Sequence, residues 1–168
     1  GQETANFCLH NAWLLGKGGE KMSKSLGNYV TAQDLVEKGY DPLALRYLIL
    51  TSHYRRGLNF TFEALDGAQT ALENLRELVS NLKSSEKRTT LSYEKNQKIE
   101  KFRDEFIAAL SDDLNIPQAL AVLWGMLKSS IPSEDKYDLA LSFDEVLGLK
   151  LGQVQAPVQI PEEVKKLL

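Results

Sequence analysis

Lys21-Met22-Ser23-Lys24-Ser25 sets two ammonium groups three positions apart among hydroxyls, and Gly27 and Asn28 follow at once. A lysine head is a compact charge with three rotatable donors. Serine hydroxyls and uncommitted backbone N–H groups add further hydrogen bonds, so the run suits a mobile loop that closes over a polyphosphate. Gly16, Gly18 and Gly19 loosen the approach to it. The plain alternative is a solvated turn that happens to carry lysines.

Other residues could also do chemistry. His53 is one of two histidines and a candidate general acid or base. No carboxylate or second histidine lies near it in sequence, so a hydrogen-bonding role at a helix end competes with that reading. Arg46 lies within the apolar run 43–50, where a guanidinium is expected to be buried and ion-paired rather than catalytic. Asp112-Asp113 are adjacent carboxylates, but ahead of Asn115 and Pro117 they read as turn and cap residues. Tyr47 and Trp124 read as core. Cys8, the single cysteine, offers neither a disulfide framework nor a thiolate cage, and is expected to be buried and inert.

The elements that must position these groups are mostly helical. Residues 6–30 carry strand-type residues broken at Gly16 to Gly19, and predict a short strand or hairpin leading into the lysine loop. Thr31 and Asp34 mark a helix start, with a stop at Gly39. Asp41-Pro42 starts a second helix that is apolar nearly all round and therefore expected to be deeply buried. Thr61 caps a long helix over about 62–83, in which Leu65, Ala68, Leu72, Leu75, Val79 and Leu82 recur at alternating spacings of three and four. After a polar loop at 83–93, a helix over about 94–110 turns Ile99, Phe102, Phe106 and Leu110 inward. Pro117 opens another, ending near Ser129. A last bundle helix runs from Pro132-Ser133 to about Leu147, with Gly148 as its stop. Residues 149–160 read as a linker, and Pro161 starts a short helical pattern. The fold class is mainly α: a short β/α part over 1–60, an antiparallel helical bundle over 61–150, and a linker with a truncated helix over 151–168.

The 168 residues contain 43% apolar and 26% charged residues, an ordinary globular composition, with no apolar run long enough to span a bilayer and no secretory signal. One cysteine fits a reducing cytoplasm. The net charge of −3 is unevenly spread. Residues 1–60 hold seven Lys/Arg against five Asp/Glu, and residues 61–168 hold thirteen against eighteen. Any phosphate contact in the second part must come from a local basic patch. There is no internal repeat and no low-complexity tract.

The run Lys21 to Asn28 resembles the KMSKS loop of class I aminoacyl-tRNA synthetases, in the form found in the cysteine, methionine, leucine and isoleucine group. Asp41-Pro42-Leu43-Ala44-Leu45-Arg46-Tyr47 resembles the DALR element that begins the anticodon-side helical domain. Ser52-His53-Tyr54-Arg55, Leu58-Asn59-Phe60 and Asp112-Asp113-Leu114-Asn115-Ile116-Pro117-Gln118-Ala119 narrow the resemblance to cysteinyl-tRNA synthetases. Asn6-Phe7 and His10-Asn11 match that family's lead-in, with Cys8 where the family usually has tryptophan. The resemblance implies a ligase that activates cysteine with ATP and transfers it to tRNA(Cys). Lys24 would contact the ATP phosphates, supported by Lys21, Met22, Ser23 and Ser25, with Lys21 and Lys24 as the catalytic pair. Arg55 and Arg56 are candidate phosphate contacts for the tRNA inner stem; the alternative is a solvated helix terminus. ATP and Mg²⁺ are implied, and zinc in a part of the enzyme not matched here, with no metal expected in this chain. The family's HIGH-type motif is not found, so the chain reads as a fragment, expected to be a monomer, off the membrane and inactive alone. Two rival readings are a stand-alone RNA-binding module and the related ligase that joins cysteine to an amino sugar.

Overall fold

Thr31 opens the first helix by a reciprocal pair of bonds. Its hydroxyl accepts the Asp34 N–H at 3.1 Å, and the Asp34 carboxylate accepts the Thr31 N–H at 2.7 Å. The backbone bond from Thr31, then that from its hydroxyl, holds the Asp34 carboxyl below the usual carboxylate range. This computed structural model describes residues 8–16, 18–23, 29–82 and 93–153. Their elements are β1 (Leu14–Leu15), α1 (Ala32–Glu37), α2 (Pro42–Leu50), β2 (Leu58–Asn59), α3 (Phe62–Leu82), α4 (Tyr93–Ser111), α5 (Ile116–Leu127) and α6 (Ser133–Leu147). The chain is mainly helical, as its periodicity predicts.

The predicted caps of α2 and α3 recur at their residues. Asp41 accepts the Leu43 N–H ahead of Pro42 and the Thr61 hydroxyl accepts the Ala64 N–H, whereas the cap of α5, expected at Asp112-Asp113, is Asn115, which accepts the Gln118 N–H ahead of Pro117. Gly148 ends α6 at φ +64, where a side chain would be strained and would also meet the Arg46 guanidinium at 3.0 Å. Five positions of the α3 stripe, Leu65, Ala68, Leu72, Leu75 and Val79, are buried, and Leu82 packs against the same core. Helix α3 packs on α2 and α6, and α4 packs on α5 and α6. Phe106 of α4 stacks on Phe143 of α6 with ring centroids 3.9 Å apart.

Four expectations are corrected. The predicted hairpin is there, but β1 also pairs in parallel with β2, Leu14 beside Leu58 and Leu15 beside Asn59. A two-residue parallel strand leaves no alternating pattern to read. Helix α2 buries Ala44, Tyr47 and Leu48 only, while Ile49 is 47% exposed, because α2 packs on α3 mainly along one side. Arg46 is exposed rather than buried, and its Nε donates to the Leu147 carbonyl at 2.6 Å, satisfying an end of α6. The linker reading fails at its start, since Leu149 and Leu151 are both buried. The Asp144 carboxylate accepts both their N–H groups, at 2.6 and 2.8 Å. Arg76 of α3 donates to the Leu149 carbonyl and pairs with Asp41, joining that segment to the start of α2. The remainder of the linker and the helical pattern after Pro161 lie outside the described residues, as does most of the loop at 83–93.

Candidate functional site

The approach to the lysine loop is a small hairpin. Gly18 and Gly19 sit at φ +99 and +85, which glycine alone adopts without strain, and the Gly16 N–H donates to the Glu20 carbonyl at 2.8 Å. Leu15 then faces Lys21 across an antiparallel bridge. Alternation along the two arms sends Leu14 and Met22 inward, where both pack against the core. It sends Trp13 and Lys21 outward on one face, and the Lys21 ammonium lies 4.5 Å from the centre of the Trp13 ring. Met22 packs against the core at the foot of the loop. Ser23 is half-buried. Lys24 and Ser25 lie outside the described residues.

A second cluster forms where two motifs far apart in sequence meet. The turn after α4 carries Asp113 and Leu114, both at φ +52, and folds α5 back on α4. Asp113 Oδ1 accepts the Tyr54 hydroxyl at 2.7 Å and the Arg55 Nη2–H at 2.9 Å, while the Arg55 Nε–H donates to the Tyr54 oxygen at 2.9 Å and lies 2.8 Å from Asp113 Oδ2 in the ion pair. A hydrogen bond between ionised partners is shorter and stronger than a neutral one, and the shared Tyr54 hydroxyl closes the ring of contacts. His53 adds a contact between Nε2 and the Asp113 carbonyl at 3.0 Å, while its Nδ1 accepts the Arg55 N–H at 3.3 Å. The tautomer protonated at Nε2 satisfies both bonds, and the ring links the two motifs. The turn reading of Asp112-Asp113 stands, but Asn115 is the cap and Asp113 the clasp.

The clasp bears on pH. The Tyr54 hydroxyl, and after it the Arg55 guanidinium, hold the Asp113 carboxyl below the usual carboxylate range. A folded-state pKa below the unfolded one gives stability that is complete above the unfolded value and lost as pH falls through the folded one. Asparagine tolerates the same left-handed backbone, so Asp113→Asn removes the charge and little else. The variant is expected to be less stable than the parent at neutral pH and to converge with it below about pH 4. Urea midpoints taken across that range test this. A gap that stays constant with pH would show that the clasp does not depend on the carboxylate charge.

Arg55 and Arg56 therefore differ. Arg55 is tied to Asp113. Arg56 is exposed and lines two clefts, which share Ser52 and His53 as well. The larger, about 550 Å³ and open, is walled by His53, Arg55, Arg56, Asn115 and Pro117 among others. The smaller, about 140 Å³, runs from Trp13 and Leu14 past Ile49 to Tyr54 and Arg56. The segment that carries Tyr54 and Leu58 is fastened to the hairpin by bonds from the Ala12 N–H to the Tyr54 carbonyl and from the Leu58 N–H to the Trp13 carbonyl.

Cys8 is another correction. It is exposed, with its sulfur 3.2 Å from His10 Nε2, because it lies on the hairpin's lead-in and away from the helical core. Tyr47 and Trp124 are core residues as read, joined by a bond from the indole N–H to the phenol oxygen at 3.1 Å. Among the described residues no group of three or more His, Cys, Asp or Glu side chains could hold a metal ion, and no helix is long and apolar enough to cross a membrane. Sequence reasoning missed Trp13, Tyr54 and Asp113 as partners of the charged residues. The only signal was that Trp13 and Lys21 flank a glycine-rich turn.

Residues 1–70 match the family model of the tRNA synthetases class I (C) catalytic domain, and residues 105–130 match that of the DALR domain. The chain belongs to the class I tRNA synthetases. Its curated relatives are of the cysteine type. It is 41% identical over its whole length to Cysteine--tRNA ligase 1 of Burkholderia lata, covering 34% of that protein. It is 37% identical over 98% of its length to Cysteine--tRNA ligase of Chlamydia felis, covering 36% of it, and 34% identical over 90% to that of Treponema denticola, covering 34%. The chain thus spans about a third of the length of the curated relatives it matches.

Proposed function

We propose that this chain is the lysine-loop and helical part of a cysteine–tRNA ligase, which activates cysteine with ATP and passes it to tRNA(Cys) in the cytoplasm. The observation that carries the reading is the match to three cysteine ligases along nearly the whole chain, on a sequence that keeps the run Lys21 to Asn28 unbroken. Residues 1–60 then form the part facing ATP and the tRNA stem, and residues 61–150 the bundle towards the anticodon. As cysteinyl adenylate forms, negative charge grows on the departing pyrophosphate. A cation that reaches it only at that moment stabilises the transition state more than bound ATP. Lys24 takes this role, and Lys21 and the hydroxyls of Ser23 and Ser25 hold the loop around it. Met22 supports the loop from the core side. The reading implies Mg²⁺ with the ATP, and zinc in the part of the enzyme that this chain does not span.

The test is cysteine-dependent ATP–pyrophosphate exchange and tRNA(Cys) charging by the intact protein. Exchange driven by another amino acid, or charging of an amino-sugar acceptor instead of tRNA, would overturn the reading.

On the RNA side, Arg55 and Arg56 line the open cleft, but only Arg56 is without the Asp113 clasp. Each phosphate contact adds close to one unit to the salt dependence of binding. Arg56→Ala is expected to weaken tRNA affinity and reduce the salt slope by about one, whereas Arg55→Ala leaves the slope nearly unchanged. Salt titrations of tRNA binding to the intact protein and both variants check this. Equal losses of slope at the two positions would mean that RNA displaces Asp113 from Arg55.

A further inference from the structure

We propose that Trp13 is a positioning residue for the lysine loop, its indole face being the perch that holds the Lys21 ammonium in place. The inference rests on the reading that the loop binds ATP. Trp13 is 67% exposed, an uncommon state for so large an apolar side chain. The hairpin register accounts for its place. With Leu15 opposite Lys21, positions 13 and 21 are diagonal neighbours on one face, within reach of a long side chain. The Lys21 Nζ lies 4.5 Å from the ring centroid, inside the range in which a ring quadrupole attracts a cation. The ring is itself held at its backbone, since the Trp13 carbonyl accepts the Leu58 N–H and the neighbouring Ala12 N–H donates to Tyr54. Met22, the residue after Lys21, is fixed by packing against the core.

These restraints give the first loop cation a set position. A lysine side chain otherwise samples many rotamers, and the entropy lost in fixing one is then spent before the ligand arrives. The perch also leaves the ammonium on the outer face of the hairpin.

The experiment uses the intact protein with Trp13→Ala, Trp13→Phe, Lys21→Ala and the double variant Trp13→Ala/Lys21→Ala. The readouts are ATP affinity, the exchange rate at saturating ATP, and tryptophan emission. Trp13→Ala is expected to reduce ATP affinity or exchange about two- to fivefold, the size of an exposed cation–π contact. The same step should be affected in Lys21→Ala, and the double variant should lose no more than Lys21→Ala alone. Trp13→Phe keeps a ring face and should recover most of the loss, which a purely packing role would not predict. Lys21→Ala should shift the part of the emission that Trp13→Phe removes. If that emission does not move, the perch is overturned. If it moves but the losses of Trp13→Ala and Lys21→Ala simply multiply, the contact exists and the positioning role is overturned. If it moves while Lys21→Ala and Lys24→Ala both leave ATP exchange intact, the ATP reading itself fails and the proposal falls with it.

Discussion

Lys24→Ala in the intact protein is expected to lower adenylate formation by about 2.5–4 kcal/mol of transition-state stabilisation, the loss that follows removal of one well-placed electrostatic donor. ATP affinity should fall by less. The difference between the two losses is the signature of a group that meets its ligand late, since a contact made equally in both states weakens binding without slowing the chemical step. Lys21→Ala is expected to cost less, because Lys21 is placed by the hairpin beside Trp13 and supports the loop. Pre-steady-state measurement of adenylate formation against ATP concentration separates the terms. Equal effects on affinity and rate, or a larger effect at Lys21, would reverse the assigned roles.

The second large effect concerns stability. Leu72→Ala and Leu75→Ala each truncate a side chain with no exposed surface, at the centre of the α3 stripe. Each is expected to cost about 2–5 kcal/mol, from the lost transfer energy and the cavity left in a helix held between α2 and α6. The two residues share one stripe, so the double variant need not equal the sum of the singles. Denaturant unfolding provides the values. Losses below about 1 kcal/mol at both positions would mean that the core closes around the cavities or that α3 is not its centre.

The features legible in the sequence are those that act over a few residues. Thr31, Asp41 and Thr61 cap helices because a short polar side chain reaches an amide two or three positions on. The alternation of three and four from Leu65 to Leu82 is the helix period itself, so it named the buried side of α3 without any knowledge of its partners. The lysine run could be recognised for the same reason, its charges and hydroxyls being contiguous.

Tertiary structure decided what depends on distant partners. Arg55 meets Asp113 across 58 positions, Arg46 meets Leu147 across 101, and Arg76 meets Leu149 across 73. An arginine's sequence neighbours say that it needs an acceptor but not which one will be near. Arg46 was thus expected to find a carboxylate and found a helix-end carbonyl. Leu149 and Leu151 looked like linker because two alternating leucines are too few to outweigh their neighbours. Asp144 turned them inward by binding their amides. Arg55 and Arg56, adjacent and alike in sequence, were divided only by folding, which brought a carboxylate to one and left the other exposed over open clefts.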